Sequence, residues 1–334
     1  MKHNAVVGLL ILPLVAQDIR RPSGDPPVFR DDAKFIVVDV QVLANDRPVG
    51  DGTIRRIRPS ILRRDPLANA SPVVGLTKEN FQVFDDGEPQ EITSLDFDEA
   101  PLDIMLLVDC SSSTDQVASE MEDQSAEAMH HLKKHDRIGL AVFASSAYLA
   151  VPITADRDQL EAGIFHLKSW RFPPEVPTEL NGTTLHVAEY LRKNARRGAR
   201  RAIIVLTDNN GTRAVSDHKV RDGLWEADAL LNTIFFPGGP DHYSDRADLG
   251  IFVRSTGGDV LTADNSNLRL GEMFDRLRKR YLLLYRAPQS KPGEVHSIRV
   301  KVVPEGKGIV VRARSGYRAG EPGSDNRLTP KGRN

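Results

Sequence analysis

Cysteine is nearly absent: the 334-residue chain has one, Cys110. A single thiol excludes an internal disulfide framework and any multi-cysteine metal site. At the end of an apolar run, Cys110 reads as a packed residue rather than a reactive nucleophile. There is no basic excess either, with 45 Lys plus Arg against 46 Asp plus Glu and a net charge of −1. The electrostatic case for nucleic-acid binding therefore falls away. No apolar run approaches the roughly 20 residues of a membrane-spanning helix. The Gly-rich phosphate loop and the Gly-x-Ser-x-Gly nucleophile elbow are also missing.

What remains is an ordinary globular composition, 40% hydrophobic and 27% charged, in a chain long enough for about two domains. The start, MKHNAVVGLLILPLVAQ, has Lys2, an apolar stretch from Ala5 to Val15 and small Ala16 before Gln17. This is a secretory signal pattern over residues 1–16, too short to span a bilayer once folded. It predicts a protein that is secreted or held in the periplasm or cell envelope, with no membrane span in the mature chain. A Pro- and charge-rich linker follows over 17–32.

From 33 to 98 the chain is β-rich, with alternation in FIVVDVQVLAND and a hairpin signature around the Asp-Asp-Gly of FQVFDDGEPQEITSLDF. Between them, the basic stretch 47–72 reads as a solvated excursion. The pattern then changes. DIMLLVD (103–109) and RAIIVLTD (201–208) are continuous apolar runs, as in strands buried on both faces of a parallel sheet. Helical periodicity alternates with such strands from 116 to 280, which implies an α/β fold with a doubly wound, mostly parallel sheet over 101–286. Alternating strands return from 287 to 318, before a Gly- and Pro-rich tail (319–334) that reads as disordered. The simplest assembly inserts the α/β domain into a smaller β-sandwich-like domain built from both chain ends.

In open α/β sheets, ligands bind outside the carboxyl ends of the strands. Asp109 and Asp208 each end a long apolar run, so both meet at one rim if the strands are neighbours. Ser111 and Ser113 follow Asp109 at alternate positions and share its face in an extended loop. Asn-Gly-Thr-Thr-Leu (181–185) places Thr183 in a loop that opens a helix. Two carboxylates and three hydroxyls form a hard oxygen set suited to Mg²⁺, with Mn²⁺ or Ca²⁺ as substitutes. Two negative charges leave the cation electrophilic and open to a carboxylate from a protein partner. Singly, each residue has a plainer role: Ser113, Asp115 or Thr183 as a helix cap, and Asp208 as a turn acid.

DIMLLVDCSSS, NGTTLHVAEYL and AIIVLTDNNG together resemble the von Willebrand factor type A domain with its metal-ion-dependent adhesion site. The likeness covers about residues 101 to 286. It implies that Asp109, Ser111, Ser113, Thr183 and Asp208 hold a metal and that the module is an adhesion or interaction protein, not an enzyme. Alignment on Leu185 selects Thr183, with Thr184 adjacent. The flanks VVGLTKENFQVFDDGEPQEITSLDF and YLLLYRAPQSKPGEVHSIRVKVVPEGKGIVVRARSGY resemble a bacterial secreted subgroup, the VWFA-related Acidobacterial-type family. Asn181 stands where that subgroup has Gly, Val187 where it has Asp, and Asn209-Asn210 follow the last acid.

Three competitors remain. A hydrolase could pair Ser111 or Ser113 with His186 and Asp208. His131 and His135 could bind zinc from one helix face, although Lys133 and Lys134 would repel a cation. The module could also be structural, with an unused metal site.

Overall fold

The apolar run that ends in Asp109 forms β6 (Leu102–Asp109), and all eight of its residues are buried. In the computed structural model, which describes residues 35–44, 67, 70–170, 172, 177–236, 247–263, 267–306 and 308–320, it lies at the centre of a six-stranded sheet. The signal and linker expectations, the basic excursion over 47–66 and the tail after Gly320 lie outside the described residues.

In chain order β6 is followed by α1 (Asp115–Met129), β7 (Arg137–Phe143), β8 (Ala147–Thr154), α2 (Arg157–Phe165) and α3 (Leu180–Asn194). Then come β9 (Arg200–Thr207), α4 (Asp217–Ala227), β10 (Ala229–Phe235), α5 (Leu249–Thr256), β11 (Val260–Thr262) and α6 (Leu270–Arg278). The sheet order is β11-β10-β9-β6-β7-β8, parallel except for β8, an antiparallel edge strand. The period-2 alternation of β6 divides its side chains between two cores. Ile104, Leu106 and Val108 pack with Met121 of α1, Leu160 of α2 and Phe274 of α6. Met105 and Leu107 pack with Leu191 of α3, Leu224 of α4 and Phe252 of α5 on the opposite face. Burial of each such side chain is worth about 1.5–3 kcal/mol. This two-faced burial is why the strand carries no polar residue between Asp103 and Asp109.

Before and after this unit lie β1 (Phe35–Ala44), β2 (Ser71–Pro72), β3 (Phe81–Asp85), β4 (Glu88–Gln90), β5 (Ile92–Phe97), β12 (Tyr281–Arg286), β13 (Val295–Val302), β14 (Ile309–Ala313) and β15 (Gly316–Arg318). They form two antiparallel sheets, β14-β1-β12-β5 with β2 beside β1, and β15-β13-β3-β4. One core between them joins Val38, Val40, Phe81, Val83, Tyr281, Leu283 and Ile298. The two chain ends thus build one sandwich around the inserted sheet.

One boundary differs from the sequence pattern, which places 281–286 in the α/β domain. β12 instead pairs antiparallel with β1 and β5. The strand is apolar on both faces because Tyr281, Leu283 and Tyr285 enter the sandwich core while Leu282 and Leu284 are buried on the other side. That double burial mimics a strand of a parallel sheet.

A buried ionic seam joins the sandwich to the sheet unit. Asp39 of β1 accepts from Arg200 Nε (3.0 Å) and from Arg280 Nε. Asp259 accepts from Gln41 Nε2 (2.7 Å) and from Arg312. Arg280 is fully buried and also donates to the carbonyl of Gly257 (2.6 Å). Gly257 ends α5 at φ 79°, and a Cβ there would meet the backbone of Ala313 at 2.4–2.7 Å, so glycine alone fits.

Candidate metal centre

The register Val108↔Leu206 between parallel β6 and β9 sets Asp109 beside Thr207 and brings Asp208 to the same rim. Asp109 is only 1% exposed. Its Oδ2 accepts from Thr207 Oγ1 at 2.6 Å, and its Oδ1 accepts from the Ser111 backbone N–H at 3.0 Å. The chain then tightens into a 3₁₀ turn over Ser112–Thr114. Buried Thr114 locks this turn, donating from Oγ1 to the Asp109 carbonyl at 2.8 Å. Ser111 Oγ lies 3.2 Å from Ser113 Oγ. The two serine hydroxyls are brought together by a side-chain turn at Asp109 followed by a helical turn, not by extended alternation. Cys110 is half-buried against the core, and its N–H is bonded to Phe143.

Asp208 is equally buried. Its Oδ1 accepts from Asn210 N–H at 2.9 Å, while Oδ2 is buried without a hydrogen-bond partner. Burial pushes the Asp109 carboxyl up from 3.8 to about 6, against the hydrogen bonds from Thr207 and Ser111, and the charge of Asp208 pushes it further the same way. Two carboxylates thus share a dry rim with one oxygen uncompensated. A divalent cation could meet the demand of both.

Thr183 lies on α3, one turn inside a helix that begins at Leu180, rather than in the loop before it. Its hydroxyl donates to the carbonyls of Glu179 (2.7 Å) and Leu180 (3.1 Å). Adjacent Thr184 is buried, and its Oγ1 has no hydrogen-bond partner. The start of α3 is tied to both strands that flank β6. Glu179 N–H donates to Ala144, just past β7 (2.8 Å), and Thr212, beyond β9, donates to the Thr178 carbonyl (2.7 Å). The Glu179 carboxylate accepts from the N–H groups of Gly182, Thr183 (3.2 Å) and Ala214 (2.9 Å). Hydrogen bonds link Asp109, Ser111 and Ser113, the charge of Asp208 acts on Asp109, and the Thr183 hydroxyl bonds to none of these four.

Residues 104–211 match the family model of the von Willebrand factor type A domain. All five candidate ligands fall inside that span. The chain contains a von Willebrand factor type A domain. Among similar solved structures, BatB from Bacteroides thetaiotaomicron is 17% identical, with 53% of this chain and 98% of that one covered at a TM-score of 0.41. A von Willebrand factor type A protein from Catenulispora acidiphila is 10% identical, covering 84% and 75% at 0.42. Proximal thread matrix protein 1 from the mussel byssus, solved with a zinc-occupied MIDAS motif, is 16% identical, covering 55% and 48% at 0.43. No curated protein matches the chain.

Around this type A domain, Thr207, Thr114 and Glu179 were not singled out by the sequence reading. Thr207 was legible in principle, since the residue before one strand-end acid stands in register with the acid that ends the neighbouring parallel strand. Glu179 could be read as a cap three residues before Gly182, although Glu is a rare N-cap. Of the three competitors, neither the Ser-His-Asp set nor the histidine pair is assembled. Ser111 Oγ has Ser113 and Thr114 as neighbours, and His186 is exposed on α3. Helix α1 ends at Met129, so His131 and His135 do not share a helix face, and His131 Nδ1 is paired with Asp275 at 2.9 Å.

Proposed function

We propose that this type A domain is a divalent-metal-dependent protein-binding module of the bacterial envelope or exterior. Asp109, Ser111, Ser113, Thr183 and Asp208 would hold Mg²⁺, or Mn²⁺ or Ca²⁺ in its place. The bound cation would supply a Lewis-acidic position that accepts a carboxylate from a partner protein. The observation that carries this reading is the pair of buried strand-end carboxylates, with Asp208 Oδ2 unpartnered and Asp109 pushed up to about 6. Ser111 and Ser113 add neutral oxygen donors at the exposed side of the pair, so access from solvent comes through the 111–113 loop. Glu179 positions Thr183 and fixes the segment between β9 and α4 through Ala214.

An envelope location is supported by the signal pattern of residues 1–16, and no helix among the described residues is long and apolar enough to cross a membrane. The test is affinity capture from an envelope extract, with wild-type and Asp109→Ala baits, in Mg²⁺ and in chelator. The proposal expects a partner retained by wild type in Mg²⁺ and released by chelator or by Asp109→Ala. Retention that ignores both would overturn it.

A further inference from the structure

Far from the rim, the Asp-Asp-Gly turn between β3 and β4 stands against β13. The register Asp85↔Ile298 brings Asp85 and Asp86 alongside His296, 211 and 210 residues away along the chain. These three form a group of donor atoms that all lie within 4.8 Å of one another. His296 is 6% exposed, and its ring stacks on Tyr317 with centroids 4.8 Å apart at an 8° angle. Its Nδ1 lies 3.2 Å from Asp85 Oδ1 and 2.9 Å from Asp86 Oδ2. Both are ion-pair contacts, and Nδ1 and Asp85 Oδ1 are buried without a well-aligned hydrogen bond.

The other oxygen of each carboxylate is already occupied. Asp85 Oδ2 accepts from Tyr285 Oη at 2.7 Å and from Tyr317 Oη at 2.9 Å. Burial, reinforced by the Asp85 charge, holds both phenols above their usual ionisation range, so they remain donors. Asp86 Oδ1 accepts from the N–H (2.8 Å) and hydroxyl (3.0 Å) of Ser297, and the backbone bond holds that carboxyl below the usual range. Each acid is therefore clamped by one oxygen and turned toward the imidazole with the other. This is how supporting hydrogen bonds orient metal-binding carboxylates. With metal–ligand bonds of about 2.0–2.2 Å, tetrahedral donors stand about 3.3–3.6 Å apart, so the two nitrogen–oxygen separations need open by only a few tenths of an ångström to admit an ion.

We infer that Asp85, Asp86 and His296 form a second divalent-cation site, of the mixed nitrogen–oxygen kind that suits Zn²⁺, in the β-sandwich. Two carboxylates and a neutral imidazole balance the dication, and exposed Asp86 opens the position to solvent for a water ligand. The bound ion clips the β3–β4 turn to β13. The site shares no residue with the rim cluster and stands independently of it.

The simpler arrangement is an imidazolium between two acids, with no metal. Titration of Co²⁺, a spectroscopic stand-in for Zn²⁺, into the full-length Asp109→Ala protein separates the two through its visible d–d absorption. One equivalent is expected to bind and to be displaced by Zn²⁺. Asp86→Asn, on an exposed residue that leaves the fold intact, should weaken it at least about tenfold, and Tyr317→Phe about 10–100-fold. His296→Gln should abolish the signal, and if that variant does not fold, Asp86→Asn decides alone. Failure of Asp109→Ala to bind Co²⁺ at millimolar concentration, or equal binding by Asp86→Asn, would overturn the inference and leave the rim proposal untouched.

Discussion

Asp109→Asn should make the metal-free protein more stable at neutral pH, by an amount that grows with pH. Asp109 keeps its proton to about 6 in the folded chain, against an ordinary 3.8. Between those values the folded state binds more protons than the unfolded state, so stability falls as pH rises through the window. At about 1.4 kcal/mol per pH unit, the span is worth about 3 kcal/mol. The amide introduced by the substitution would retain one oxygen for Thr207 or Ser111 and carry no charge to bury. The variant's stability advantage over wild type, measured by urea unfolding in chelator, should therefore widen by about 3 kcal/mol from pH 3 to pH 8. In thermal unfolding, the same widening is about 6 °C at about 2 °C per kcal/mol. Millimolar Mg²⁺ at pH 8 should narrow or reverse the gap, because the cation favours the carboxylate and binds only the folded wild type. A gap that is flat across this range, or that shrinks as pH rises, would refute the burial argument.

Other changes test a support of the same rim and the strand that carries it. Glu179→Ala removes the acceptor for three N–H groups and should cost about 2 kcal/mol, with Mg²⁺ affinity falling about tenfold, read by urea unfolding and metal titration. Asp103→Asn should cost about 2–3 kcal/mol, because Arg137 and Arg196 lose a fully buried carboxylate but keep access to water. Burial alone would raise the Asp103 carboxyl, and the arginine hydrogen bonds outweigh it and hold the carboxyl below 3.8. Its contribution is therefore present above that pH and lost as pH falls below it, which an acid-unfolding series on wild type and Asp103→Asn measures. Leu106→Ala opens a cavity at the centre of β6 and should lower stability by about 2–5 kcal/mol while leaving Mg²⁺ affinity unchanged.

The buried strands were the most legible part of the sequence, because two-sided burial forces an unbroken apolar run and makes the first acid after it a rim residue. Asp109 and Asp208 both follow from that rule. β12 carries a similar unbroken run, with Tyr281, Leu283 and Tyr285 in the sandwich core and Leu282 and Leu284 buried on the other face, although it belongs to an antiparallel sheet. Ser111 and Ser113 were found for a geometric reason that the structure replaces, since a turn anchored on Asp109, not strand alternation, gathers their hydroxyls. Thr183 was placed in a loop that opens a helix, yet the Glu179 carboxylate caps the Gly182 and Thr183 N–H groups and the helix starts at Leu180. The Asp85, Asp86 and His296 group was out of reach of any local pattern. Only the β3–β13 register brings together residues more than 200 positions apart.

The central claim is that Asp109 and Asp208 act together as the anionic half of a cation site. Calorimetric titration with Mg²⁺, an oxygen-seeking ion poorly matched to the His296 group, addresses it directly. The account predicts one Mg²⁺ per wild-type chain, tighter at pH 8 than at pH 5, and none in Asp109→Ala or Asp208→Ala. Wild type that takes up no Mg²⁺ at millimolar concentration, or variants that bind it as wild type does, would contradict the account.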